Sequence, residues 1–175
     1  VAPISLLHEV LSPKGFNASQ IRDIYRSLSS SQSGKRFFST EWEVLRDREY
    51  LWIQKKDSSP LIPELIIEEI ERTPSFVIPR DKHIACLDAD KLNHPLTIRK
   101  CERGDKFIPL GMNGKKKVSD YLTDKKYSLF QKENQYVVCS GEDIVWLVNE
   151  RTDHRYRITD STQRILLIKI KKDGQ

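Results

Sequence analysis

The stretch from Asp57 to Glu64 carries Pro60 and Pro63 within four residues. Proline fixes φ and removes a backbone donor, so neither a helix interior nor a central strand can run through it. The stretch therefore predicts a boundary between two units, which the 175-residue length allows. The expected division is 1–57 as a helix-plus-hairpin unit, 58–82 as a linker or edge element, and 83–175 as a larger second domain.

Before the break, FNASQIRDIYRSLSS has helical spacing, with Ile21, Ile24, Tyr25 and Leu28 on one face. Asn17 and Gln20 are placed to form a capping box. SSSQSG, residues 29–34, ends this helix. KRFFSTEWEVLRDREYLWIQKK then reads as a β-hairpin whose polar turn is Arg46-Asp47-Arg48-Glu49. After the break, ELIIEEIERTP suits helix or strand, and its β-branched isoleucines tip it towards strand. Further strands are expected in HIACLD, PLTIRKC, YVVCS, DIVWLVN, RYRIT and QRILLIKI, and a short basic helix from Val118 to Leu122. The expected fold class is α+β, with the second domain mainly β. Trp146 lies in an almost continuous apolar run and is expected in the core rather than on a base-stacking surface.

Charged residues make up 31% and apolar residues 38% of the chain, and its three Trp, six Tyr and six Phe argue against general disorder. No run of about 18 apolar residues occurs, so no membrane span is expected. The start, VAPISLLHEV, lacks a basic flank and a small-residue cleavage pattern, which argues against a leader peptide. It also lacks Met, as expected of a processed chain or a piece of something longer. Cys86, Cys101 and Cys139 have neither disulfide-framework nor metal-clip spacing and read as buried free thiols. A reducing, cytoplasmic compartment follows as an expectation.

The net charge of +5 becomes informative once located. Residues 95–135 hold ten Lys or Arg against five acids, while the rest of the chain holds 20 of each. All the net positive charge lies in one segment, which points to a polyanionic partner. Its centre, GDKFIPLGMNGKKKVSDYLTDKK, fails as a Walker A loop: the glycines are too close together and Lys116 stands where a hydroxyl should reach magnesium. Two readings remain for it. Gly111 and Gly114 could leave backbone N–H groups exposed before a helix, a setting that attracts phosphate, or the lysines could simply form a solvated face. Catalytic constellations are absent. Asp88 and Asp90 read as turn-holding carboxylates, and Asp153, His154 and Arg155 have no nucleophile near them in sequence.

The residues LDADKLNHPLTIRKCERGDKFIPLGMNGKKKVSDYLTDKKYSLFQKE, 87–133, and GEDIVWLVNERTDHRYRIT, 141–159, resemble the C-terminal portion of bacterial tRNA(Ile)-lysidine synthases. The helix and hairpin before them are similar to the end of that family's middle, substrate-binding domain. Cys101, Asn149 and Thr152 depart from the family pattern, where tryptophan, glycine and an apolar residue are frequent. The family is a group of ATP-dependent ligases that join lysine to the wobble cytidine of tRNA(Ile). The resemblance implies that ATP and magnesium belong to an N-terminal catalytic domain, whose SGGxDS-type loop is not in this sequence. No cofactor, metal or catalytic residue is then expected here. The implied role is to hold the body and acceptor stem of tRNA(Ile), in partnership with that catalytic domain. The expected RNA-backbone residues are Arg99, Arg103, Lys106, Lys115, Lys116, Lys117, Lys125 and Lys126. Arg99 and Arg103 could instead pair with Glu102 or Asp105. The alternative is a structural or self-association module, with a second copy as partner.

Overall fold

The computed structural model describes residues 4–56 and 62–171. The start of the proline-bearing stretch, residues 57–61, lies outside them. The chain divides into two compact units, residues 1–60 with 128–130, and 61–127 with 131–175.

The first unit opens with α1 (Ile4–Leu11), a helix not expected from the sequence. Leu7 and Leu11, four residues apart, put one buried stripe on it. Gly15, at φ +81°, turns the chain into α2 (Ala18–Leu28). The capping box forms as expected: the Asn17 side chain accepts from the Gln20 N–H, and the Gln20 side chain accepts from the Asn17 N–H. Gln20 Nε2 also donates to the Phe38 carbonyl at 2.8 Å, tying the helix start to the sheet. That sheet has three antiparallel strands, β1 (Lys35–Phe38), β2 (Trp42–Asp47) and β3 (Tyr50–Lys55), in that order. The expected hairpin is thus the later part of a meander, with its turn where the polar residues placed it. Leu7, Leu11, Phe16, Ile21, Ile24 and Val44 form the buried core.

The second unit contains two larger sheets. One is ordered β4 (Leu65–Glu71), β12 (Arg164–Ile170), β5 (Ala85–Asp88). The other is ordered β11 (Arg151–Thr152), β10 (Asp143–Leu147), β9 (Tyr136–Ser140), β6 (Leu96–Lys100). Strand β4 settles the ambiguous ELIIEEIERTP stretch: it pairs antiparallel with β12 along its whole length. Ala85 and Leu87 of one sheet pack with Val138, Val145 and Trp146 of the other, and Trp146 is 1% exposed. The pairing of β10 with β9 shifts register between Ile144 and Trp146. Val145 and Trp146 consequently share one cluster, while Ile144 and Leu147 enter a second cluster. A β-bulge has this effect, because the extra residue breaks the strict alternation of faces. The RYRIT strand does not form. Asp153 caps a single 3-10 turn at His154–Tyr156 instead, its carboxylate accepting the Arg155 N–H. The fold class is α+β, as expected.

Candidate nucleic-acid interface

The basic segment rides on the second cluster. Its centre comprises the short pair β7 (Lys106–Phe107) and β8 (Lys116–Lys117), then α3 (Val118–Asp124); α4 (Leu129–Glu133) lies near its end. Phe107, Val118, Tyr121 and Leu122 are buried against Val137, Cys139, Ile144 and Leu147. Phe107 meets Tyr121 edge-on, with centroids 5.4 Å apart. Anchoring these apolar residues decides where the lysines between them point.

Register sorts the lysines into two groups. Phe107 pairs with Lys116, and Lys106 pairs with Lys117. Directly paired residues share a face of an antiparallel ladder, so Lys116 lies on the side of buried Phe107. Its ammonium bonds Asp124 at 2.5 Å and sits 5.8 Å from the centre of the Tyr121 ring. That hydrogen bond, and then the charge of Lys116, hold the Asp124 carboxyl below its ordinary range. Lys106 and Lys117 fall on the opposite face, and both are exposed. Like charges directly opposed across a ladder repel. Lys117 is also the N-cap of α3 but supplies no capping bond, and its cation stands at the positive end of the helix.

Other expected contact residues differ in their availability. The Arg99 guanidinium grips Asp105 with two bonds, 2.8 and 2.9 Å, and Asp105 also accepts the Glu102 N–H. Burial works against the Asp105 charge. The Arg99 and Glu102 bonds outweigh it and keep the carboxyl below its ordinary pKa. Arg99 therefore holds the loop together, the alternative left open by the sequence. Arg103, Lys115 and Lys126 are exposed. Lys125 is exposed too, with its ammonium 5.7 Å from the Tyr121 ring centre.

The backbone of the glycine turn is less open than expected. The Gly111 N–H donates to His154 Nδ1 at 3.1 Å, and the Met112 N–H to the Pro109 carbonyl. The Val118 N–H, first in α3, is taken by the Asp105 carbonyl.

The carboxylates set aside as structural have structural partners. Asp153, fully buried, accepts from the Ile108 N–H, the Arg155 N–H and the Arg155 guanidinium. Arg155 and Tyr156 also reach Asp143. Asp88 accepts from the Asp90 N–H and the Thr162 hydroxyl, and Asp90 pairs with Arg164. Cys86 and Cys139 are buried, and Cys101 is half-buried. Burial pushes the Cys86 thiol up to about 11 and, with help from Asp105, the Cys101 thiol up to about 12. Among the described residues no three His, Cys, Asp or Glu side chains cluster to hold a metal, and no helix is long and apolar enough to cross a membrane.

Charge counting by sequence window misses one further group. Arg80, Lys82 and Arg151 line a single cavity of about 340 Å³ in the second unit. Arg151 stands about 70 residues from Arg80 and Lys82, so the three do not register as one cluster in the chain.

Comparisons with known proteins bear on the family of the chain. A family model described as "TilS substrate binding domain" matches residues 1–56. The chain is 54% identical over 172 residues to a tRNA(Ile)-lysidine synthase of Bacteroides thetaiotaomicron, a match covering 97% of this chain and 40% of the relative. It is 42% identical over 181 residues to that of Parabacteroides distasonis, covering 95% and 41%. The chain thus spans about two fifths of the length of the curated relatives it matches. A structure described as the crystal structure of the TILS C-terminal domain superposes with a TM-score of 0.54 over 63% of this chain and 85% of that one, at 19% identity, a likeness of fold. The chain belongs to the tRNA(Ile)-lysidine synthase family and corresponds to its middle and C-terminal region.

Proposed function

We propose that this chain holds tRNA(Ile) for a lysidine synthase and leaves the chemistry to another domain. The reaction would be the ATP-dependent joining of lysine to the wobble cytidine of tRNA(Ile), in the cytoplasm, with ATP and magnesium bound in the catalytic domain. The 175 residues position the body and acceptor stem of the RNA. The observation that carries this reading is the facing pair Lys106 and Lys117 on one exposed face of the basic segment. Two exposed cations on one face of a ladder offer a phosphate two neighbouring partners. An A-form stem is held mainly through its shape, phosphates and 2′-hydroxyls, which lysines can meet without reading bases.

The working surface is Arg103, Lys106, Lys115, Lys117, Lys125 and Lys126, with Arg99 and Lys116 fixing its frame. Filter binding of tRNA(Ile) transcript at several salt concentrations tests the assignment. Lys115→Ala with Lys117→Ala should weaken binding, and each lost phosphate contact should lower the slope of log affinity against log salt by up to about 1. Lys116→Ala should leave the slope near that of the parent chain. Equal affinity and slope for the parent and the double variant would overturn the reading.

A further inference from the structure

The cavity of about 340 Å³ is lined by Ile78, Pro79 and Leu110 on its apolar side and by Arg80, Glu150 and Arg151 among its polar residues, none of them a lysine of the proposed RNA face. Its volume is at the small end of the range for ligand pockets. The Glu150 side chain is only 7% exposed. One of its oxygens, Oε1, accepts both the Tyr127 hydroxyl at 2.5 Å and the Lys82 ammonium at 3.4 Å. Its other oxygen has no hydrogen-bond partner among the described residues. A carboxylate accepts only, and that oxygen is not among the buried atoms left without a partner, so it is open to solvent and available to a donor.

The cationic side is similarly unbalanced. Lys82 is engaged with Glu150, and Asp81 accepts the His83 N–H. Arg151 lends Nη1 to the Leu110 carbonyl at 3.2 Å and keeps its remaining donors, while Arg80 is exposed. Three cations and two carboxylates line the cavity, a net charge of +1. That matches one phosphodiester and is too little for a triphosphate.

We infer that this cavity takes a single unstacked nucleotide of the bound RNA, with the base between the apolar residues, its amino group donating to Glu150, and its phosphate on Arg80 and Arg151. Single-stranded nucleotides are the part of an RNA whose base edges a protein can read. An acceptor-only group discriminates among them. Cytosine, adenine and guanine present an amino donor, whereas the one edge N–H of uracil is flanked by two carbonyl oxygens that a carboxylate repels. The inference rests on the RNA-holding reading, but it concerns other residues and can fail separately.

The test uses the 175-residue chain with ¹⁵N-labelled tryptophan. Trp146 lines the cavity, and its indole signal can be assigned with Trp146→Phe. Titration with CMP, AMP and GMP should shift that signal saturably, UMP should bind at least several-fold more weakly, and ATP should bind no tighter than AMP. Arg80→Ala should weaken all four monophosphates. Glu150→Gln keeps an acceptor for the Tyr127 hydroxyl and replaces the free acceptor with a donor, so the preference should turn towards UMP. No saturable shift with any monophosphate, or the same base preference in Glu150→Gln as in the parent chain, would overturn the inference. Filter binding of the lysine variants reads the other surface independently. If tRNA binding depends on Lys115 and Lys117 while the monophosphates fail, the cavity falls and the RNA-holding role stands. If the monophosphates behave as expected but the lysine variants bind tRNA like the parent, the role of the lysine face falls and the cavity stands.

Discussion

Arg99 and Lys116 show how one residue in a basic segment can serve the fold while its neighbours remain available. Each meets a carboxylate of its own segment, Asp105 and Asp124. The Arg99 pair is the stronger, being bidentate and partly shielded, with side chains 35% and 12% exposed. Asp105→Asn should therefore cost about 2 kcal/mol near neutrality, the scale of a hydrogen bond to a charged group. The sign of the pH dependence follows from the lowered Asp105 pKa. A carboxylate whose folded pKa is depressed contributes stability above its unfolded value, about 3.9, and loses it as pH falls through the folded value. Denaturant melts of the parent chain and Asp105→Asn should differ at pH 7 and converge as the pH falls below about 3.9, the unfolded value. A gap that stays constant over this range would show that the charge of Asp105 is not what stabilises the loop. Trp146 makes the complementary case of an aromatic withheld from the surface. Its fluorescence in a single-tryptophan variant should resist iodide quenching more than that of half-buried Trp52.

At the scale of elements, β7, β8 and α3 combine a well-packed underside with an unfavourable top. The underside is Phe107, Val118, Tyr121 and Leu122. The top sets Lys117 against Lys106 and leaves the start of α3 without a side-chain cap. Lys117→Thr should relieve the repulsion, keep strand propensity and supply a capping hydroxyl. It should stabilise the fold by about 1 kcal/mol, the usual worth of an N-cap. The same substitution should weaken tRNA binding and lower its salt slope. Thermal melting and filter binding on one preparation would check both. A variant that is less stable yet binds RNA as before would remove the case for a lysine kept at this position for its ligand.

At the scale of the molecule, the division into residues 1–60 with 128–130 and the remainder places most of each core within its own unit. We expect limited proteolysis to cut first near residues 57–63 or in SSSQSG, where proline, serine and glycine disfavour regular structure. The second unit, whose strands pair over long sequence separations such as β4 with β12, should survive as a large fragment. Early cleavage within 95–170, with 57–63 protected, would contradict this order. Salt dependence should divide the same way. Binding should fall steeply with salt through the basic segment, with a smaller part of the slope from any phosphate held by Arg80 and Arg151 outside it.

Local chemistry determined much of this protein from the sequence alone. Asn17 and Gln20 announce a helix start because a capping box is satisfied within four residues, and Arg46 to Glu49 announce a turn for a similarly local reason. The strands around Trp146 and Ile165 are legible from their apolar runs, and the location of the net charge from simple counting. Helix α1 escapes such a reading because only Leu7 and Leu11 of its short run are buried, and RYRIT misleads because a buried Asp153 takes the hydrogen bonds that would have led into a strand. Nor can the sequence rank its own lysines. Lys115, Lys116 and Lys117 are adjacent and chemically identical, and the pairing of Phe107 with Lys116 turns one of them towards Asp124 and Tyr121 while leaving Lys117 in the open. Arg80, Glu150 and Arg151 likewise share a cavity only because distant segments fold together. Register and long-range packing decide such matters, since the face a side chain takes is set by its partner across the ladder rather than by its neighbours along the chain.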